Sequence, residues 1–324
     1  MAQKEVGVVV VTYNRLELLK DVIASIRQQT FADFDMVVVN NGSTDGTTDW
    51  LNGQDDVITI TQENLGGAGG FHTGMRYVAE HGYEYCWVMD DDVVCSPTAL
   101  EELMKAVVVR EDIGFVCSRV LGVDGRPMNT PLPAVKSMNE GSYSDVFELV
   151  NMHAMVRLDS ATFVSVLLPS KIIFKVGLPY KEFFIWYDDI EYTSRISRLY
   201  PSYVSCRSEV VHKRPLQAPL SFSFYTESDS NRLKKYFYYF RNEAFTRIKL
   251  GGVKGRLKQC GIALFVLTKL LFKWDWRRLM IFAKSQFALL GFHPRVEFPK
   301  GITELRIHGR DRGSKTAMRE ARPG

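Results

Sequence analysis

The hydrophobic positions fall into alternating short runs and helical stripes. Residues 6–11 form a β-branched run that reads as a buried parallel strand. Residues 16–29 place Leu18, Leu19, Val22, Ile23 and Ile26 at helical spacing. The same alternation predicts strands at 34–39, 57–61 and 85–89, a short helix at 47–52 and a helix at 71–81. Residues 97–110 read as a further helix, with Ser96 as N-cap and Pro97 at the first helical position. Beyond 113 the pattern is mixed. Strands are expected at 115–120, 161–168 and 203–211, a helix at 190–199, and loop across 121–150. Such an order predicts an α/β fold on a mostly parallel, Rossmann-like sheet. Ligands gather at the carboxyl ends of the strands in such sheets. The turns at 12–15, 40–46, 64–70 and 90–92 all lie there.

After about residue 228 the pattern changes. Helices are predicted at 231–250, 255–272 and 276–290, apolar and basic together. Their longest uncharged apolar stretch, 260–268, is too short for a bilayer, which needs about 20 residues. They read as amphipathic, interfacial helices, or as helices that pack on the first domain or on a second copy. Charge sharpens this division. Residues 1–231 carry 19 Lys and Arg against 31 Asp and Glu, a balance of −12; residues 232–324 carry 22 against 6, a balance of +16. A basic end predicts an anionic partner. Because its Lys and Arg are interleaved with Leu, Phe and Trp, an anionic membrane surface is expected and nucleic acid is not. The expected division is 1–228, 229–308 and a disordered polar tail at 309–324. Across 324 residues, 46% hydrophobic and 24% charged is a globular composition. Five cysteines without CxxC spacing argue against zinc and disulfides. The first residues run straight into a strand, so no signal peptide is expected.

Candidate chemistry concentrates at three places. Asp90, Asp91 and Asp92 follow an apolar strand, and three carboxylates there repel one another unless a cation neutralises them. Hard divalent ions such as Mg²⁺ or Mn²⁺ suit carboxylate oxygen and bridge to phosphates. A second pair, Asp188 and Asp189, stands beside Trp186 and Tyr187. A carboxylate among aromatic rings can act as a general base, and the rings suit the apolar faces of a sugar. His212 ends a strand, where an imidazole can join acidic groups around a metal. The stretch 64–70 is glycine-rich, but position 72 is His, so GxGxxG fails, and no P-loop is present. Backbone at Gly67 can still approach a diphosphate or sugar closely.

Together, residues 9–15, 40–47 and 90–92 resemble inverting family 2 glycosyltransferases of the GT-A fold. Residues 64–71 and 186–192, with His212, resemble the bacterial galactofuranosyltransferase branch, close to rhamnosyltransferases. The resemblance covers residues 5 to about 250 and implies a nucleotide-sugar half over about 1–110 and an acceptor half over about 111–228. Thr12, Asn14, Arg15 and Asn40 would lie near the nucleotide, Asn40 standing where relatives usually carry Asp. Asp90 and Asp91 would meet the donor. Asp90, Asp92 and His212 would hold Mn²⁺ or Mg²⁺. Asp188 or Asp189 would be the catalytic base, and Trp186 and Tyr187 would flank the acceptor. Implied is a hexosyltransferase that moves galactofuranose from a UDP-sugar to a lipid-linked glycan, in O-antigen or cell-wall polysaccharide synthesis. It would work at the cytoplasmic face of the membrane as a peripheral protein, with self-association open. Transfer from dTDP-rhamnose is the nearest alternative, and a catalytically silent sugar-binding scaffold is the alternative of another class. A nucleotide-sugar pyrophosphorylase would need a basic glycine-rich loop after strand one, where this chain has Thr12, Tyr13, Asn14 and Arg15.

Overall fold

A computed structural model describes residues 4–134, 148–214 and 220–301. The predicted tail and the end of the predicted helical region lie outside these residues. Four strands, β1 (Val6–Thr12), β2 (Phe34–Asn40), β3 (Val57–Thr61) and β4 (Tyr85–Asp90), form a parallel sheet in the order β3-β2-β1-β4. It continues through β9 (Val166–Pro169), β6 (Val116–Gly122), β10 (Tyr203–His212), β8 (Met155–Ser160) and β7 (Leu132–Pro133), with β5 (Val93–Cys95) also on β10. β6 and β10 pair in parallel, whereas β9 runs antiparallel to both β4 and β6. The sheet is therefore mostly parallel, with β9, β8 and β5 reversed. One apolar cluster packs on each face, one built on Val8, Val10, Ile23 and Trp87, the other on Val9, Val37, Val88 and Phe115.

Helices α1 (Leu16–Arg27), α2 (Thr47–Asn52), α3 (Gly66–Glu80) and α4 (Ala99–Val107) join the strands. α3 starts five residues before the predicted 71, because the glycine-rich stretch is its first turn rather than a loop. The glycines let that turn lie on the sheet: a Cβ on Gly70 would sit 2.3 Å from Val11 Cγ1, and one on Gly74 would sit 2.3 Å from Val9 Cγ1. α4 is shorter than predicted, and Ser96 is not its cap. Gln29 takes that role from across the domain, accepting from Leu100 N–H at 2.9 Å and donating to the Ser96 carbonyl at 2.8 Å. Of the strand predicted at 161–168 only the last part is strand, as β9; residues 161–165 are the turn that leads to it from β8.

Two shorter helices, α5 (Ser170–Val176) and α6 (Asp188–Ser197), follow β9. α6 opens two residues early, so both aspartates of the second acidic pair lie in its first turn. The C-terminal part is α7 (Ser230–Phe272), broken at Gly252 (φ 54°, ψ −133°), and α8 (Trp276–Leu290). The break divides α7 into the two predicted helices. Both halves of α7 and α8 share an apolar cluster of Phe224, Tyr236, Phe240, Leu270 and Phe282. Residues 292–300 then return to the sheet-bearing part, where Glu297 O accepts from Leu178 N–H and the Glu297 carboxylate pairs with Arg76 and Lys181. No helix among the described residues is long and apolar enough to cross a membrane.

The tight seat of α3 gives the first prediction. Gly74→Ala should destabilise the protein by about 1–3 kcal/mol through overpacking, despite a helix-propensity gain of up to about 1 kcal/mol. The urea midpoint reads this out, and an unchanged midpoint would show that α3 lifts off β1 freely.

Candidate active site

The parallel register sets Asp90 beside Val11, so the ends of β1 and β4 deliver their turns to one place. Asp91 accepts from Thr12 Oγ1 at 2.8 Å and from Arg15 Nη1 at 3.0 Å. The same guanidinium nitrogen donates to Asp92 Oδ2 at 2.9 Å. Arg15 thus ties the first turn to the triple aspartate. Asn14, in the left-handed region at φ 53°, accepts from Thr44 N–H at 2.7 Å and knits the turns after β1 and β2 together.

Three neighbouring carboxylates titrate differently here. Burial, then repulsion from Asp92 and Asp91 and, across the cleft, from Asp189 and Asp188, pushes Asp90 well above the carboxylate range. Burial also raises Asp91, although Arg15 and Thr12 oppose it. For Asp92 burial is outweighed by His212 and Arg15, which leave it below its ordinary value.

His212 reaches this edge because the antiparallel pair of β10 and β5 sets it opposite Val93. Its ring lies between two oxygens, with Nδ1 2.9 Å from Asn129 Oδ1 and Nε2 2.8 Å from Asp92 Oδ1. An amide oxygen only accepts, so Nδ1 donates to Asn129 and Nε2 faces the Asp92 carboxylate, a place where a proton or a metal ion can sit between nitrogen and oxygen. Among the described residues, ligand atoms of Asp90, Asp92 and His212 all lie within 4.8 Å of one another. Two carboxylates and an imidazole oriented through its other nitrogen suit a divalent ion such as Mn²⁺ or Mg²⁺.

The second acidic pair closes the opposite side of the cleft. The chain reaches it through Phe184 (φ 63°), Trp186 (φ 64°) and Tyr187 (φ 70°), three left-handed residues in four. Each such conformation costs on the order of 1–3 kcal/mol, so surrounding contacts must hold it. Trp186 packs against Tyr236 and Tyr239, with ring centroids at 5.3 and 6.3 Å. Asp189 Oδ1 accepts from Ile190 N–H at 2.7 Å. Burial raises both carboxyls. Asp188, repelled by Asp189 as well, reaches about 8; Asp189, partly relieved by backbone N–H groups of Ile190 and Phe163, reaches about 6.

All these groups line one cleft of about 1050 Å³. Thr12, Asn14, Arg15, Gly67, Asp90, Asp91, Asp92, Trp186, Tyr187, Asp188, Asp189 and His212 are all on its wall. Asn40 is not among them. It is fully buried, donates to Thr48 Oγ1 at 2.9 Å, accepts from Ser43 N–H at 3.0 Å, and so shapes the turn from beneath. Its neighbour Asn41 lines the cleft instead. Asn129, Phe163 and Lys235 also line it without having been singled out in the sequence, and Tyr239 joins them. Asn129 lies in a stretch with no periodic signal, and Lys235 lies on a helix legible only as amphipathic.

Comparison with known proteins agrees with this arrangement. Residues 7–154 match the model of Glycosyl transferase family 2. Residues 7–154 carry a family 2 glycosyltransferase domain. The match covers β1 to β4 and both turns that Arg15 joins. An undecaprenyl-phosphate mannosyltransferase of Micrococcus luteus is 32% identical over 130 residues, 38% of this chain and 51% of that one. Galactofuranosyltransferase GlfT1 of Mycolicibacterium smegmatis is 25% identical over 204 residues, 59% and 64% of the two chains. The chain thus spans between half and two thirds of these relatives. Among solved structures, mannosyltransferase PcManGT from Pyrobaculum calidifontis, in complex with GDP-Man and Mn²⁺, covers 96% of this chain and 81% of its own at a TM-score of 0.53 and 14% identity. S. aureus TarS 1–349 in complex with UDP-GlcNAc gives a TM-score of 0.53 over 75% of this chain and 66% of its own, at 13% identity. At such identities these likenesses concern the fold, which is of the GT-A type.

Burial of the second pair has a measurable consequence. Asp188 binds its proton more tightly when folded than unfolded, so its contribution to stability is complete below about pH 4 and is lost as pH rises through about 8. Asp188→Asn should therefore flatten the fall of Tm between pH 5 and pH 8. A slope equal to that of the wild type would show that Asp188 ionises normally.

Proposed function

We propose that this protein is a metal-dependent, inverting glycosyltransferase that passes a sugar from a nucleotide-sugar to a lipid-linked glycan acceptor. The observation that carries the proposal is the division of one cleft between two acidic clusters, one oriented by His212 and Arg15, the other desolvated beside Trp186. Residues 1–228 would be the catalytic part, with the nucleotide and sugar held over the first 110 residues, and 229–308 the part that meets the membrane.

Thr12, Asn14, Arg15 and Gly67 would hold the nucleotide end of the donor, with Asp90 and Asp91 at its sugar and diphosphate. Asp90, Asp92 and His212 would hold Mn²⁺ or Mg²⁺. The ion supplies positive charge that favours departure of the nucleoside diphosphate. Trp186 and Tyr187 would seat the acceptor sugar. An ionised carboxylate of the 188–189 pair takes the proton of the acceptor hydroxyl, and that oxygen attacks the anomeric carbon from the face opposite the leaving group, inverting its configuration. Its raised proton affinity suits it to this step near neutral pH. It also makes turnover rise with pH over a range above the ordinary carboxylate value of about 4.

For the donor, galactofuranose on UDP is favoured, supported by the GlfT1 relatives and by residues 186–192. Mannose transfer is the second reading, supported by the names of the M. luteus relative and of PcManGT. Transfer from dTDP-rhamnose rests on the sequence resemblance alone. A panel of nucleotide-sugars with Mn²⁺, read by release of free nucleoside diphosphate, tests the donor and the activity together. Asp92→Ala and His212→Ala should each lower turnover by at least about 100-fold, and chelation should abolish it. Wild-type turnover in Asp92→Ala would remove the metal role, and a product with retained configuration would remove the base role.

The C-terminal helices support a place on the cytoplasmic face of the membrane. Phe272, Trp274, Phe287 and Leu290 are exposed beside Lys254, Lys258, Lys273, Arg277 and Lys284. Such a surface can bury rings at the headgroup level while its cations meet anionic lipid. Vesicles containing anionic lipid should sediment the full chain, and Trp274→Ser with Phe272→Ser should weaken this at unchanged turnover on a water-soluble acceptor. Equal sedimentation of the double variant would contradict the membrane role.

A further inference from the structure

The left-handed run at Phe184, Trp186 and Tyr187 precedes the candidate base pair directly, and local contacts do not explain why it persists. Its carbonyls converge on one side chain. Asn242, fully buried on α7, sets Nδ2 at 2.9 Å from Phe183 O, 3.1 Å from Ile185 O and 2.9 Å from Trp186 O.

Its other end is fixed too. Asn242 Oδ1 accepts from Arg241 Nε at 3.0 Å and from Arg241 Nη2 at 2.9 Å, so the amide cannot turn over without facing donors with donors. Arg241 Nη2 also donates to Glu182 O at 2.7 Å, and its guanidinium carbon lies 3.8 Å from the centroid of the Phe292 ring. On the far side of the loop Ala68 N–H donates to Phe184 O at 3.2 Å, and a Cβ on Gly66 would fall 2.0 Å from that oxygen. The loop is thus clamped between the first turn of α3, on the donor side, and α7. Asn242 itself is absent from the cleft wall.

We propose that Asn242 is a positioning residue for glycosyl transfer, holding the carbonyls of Phe183, Ile185 and Trp186 so that Asp188 and Asp189 face the cleft. This rests on the transferase reading given above. Its Nδ2 hydrogens cancel the mutual repulsion of three carbonyls turned the same way, which the strained backbone requires. Arg241, seated on Phe292, keeps the amide in the one orientation that can do so. α7 is therefore part of the catalytic framework and not only a membrane element. Two residues at the C-terminal side of the sequence complete a loop formed more than fifty residues earlier.

Asn242→Asp and Asn242→Ala provide the test. The Asp variant keeps the volume and the acceptor for Arg241 but loses the donor, so it preserves packing. For both we expect kcat to fall by about 100-fold, as for a base displaced by about 1 Å, with the acid limb of the kcat–pH profile displaced. Donor KM and the affinity for Mn²⁺ with UDP should stay within about three-fold of the wild type, because the metal side of the cleft is untouched. Wild-type kcat and pH profile in Asn242→Asp would overturn the proposal. So would loss of Mn²⁺–UDP affinity in parallel with kcat in that variant, which would mark a structural role alone. Asp188→Asn and Asp189→Asn are assayed alongside. If both keep turnover, the base reading fails; if either is inactive while Asn242→Asp is fully active, only the positioning proposal fails.

Discussion

Repulsion between desolvated carboxylates governs this molecule. Five aspartates, at 90–92 and 188–189, line one cleft, and Asp90 feels the charge of all four others. Such a group of like charges resists burial unless something neutralises it. Arg15 answers part of this at Asp91 and Asp92, and Thr12 adds a hydrogen bond. His212 adds a nitrogen aimed at Asp92. What remains uncompensated lies at Asp90 and at the second pair. A divalent ion on the first side, as proposed, and a raised proton affinity on the second would relieve the same imbalance by two routes, and both routes are useful to a transferase.

The fold serves this juxtaposition. Parallel strands bring their carboxyl ends to one edge, which places the turns after β1, β2 and β4 together. β10, running parallel to β6, adds His212 at the same edge. The left-handed run from Phe184 to Tyr187 then carries α6 in from the other side, so that its first turn presents Asp188 and Asp189. Strain in that run is balanced by α7, whose apolar side packs on Trp186 and Tyr187. The C-terminal helices and the loop before α6 thus share a core.

Much of this was legible in the sequence. β1 to β4 and α8 follow the hydrophobic pattern closely because each is long enough, or apolar enough, for periodicity to show. Asp90, Asp92, His212 and the 188–189 pair were legible as chemistry because acidic runs after apolar strands are physically conspicuous. The glycine-rich stretch was misread as loop: glycine signals freedom in a sequence, but here it signals close approach of a helix to Val9 and Val11. The burial of Asn40 was not legible, because a motif gives order along the chain and not the direction of a side chain. Gln29 as the cap of α4 and Asn129 behind His212 were invisible, since each acts across 70 residues or more.

The central claim is that Asp90, Asp92 and His212 bind a divalent ion together with the donor diphosphate. Titration of Mn²⁺ into the protein with and without UDP, followed by the electron paramagnetic resonance of the free ion, tests it most directly. The account predicts one bound ion whose affinity rises with UDP and is lost in His212→Ala. Equal Mn²⁺ binding by wild type and His212→Ala, or no binding in the presence of UDP, would contradict it.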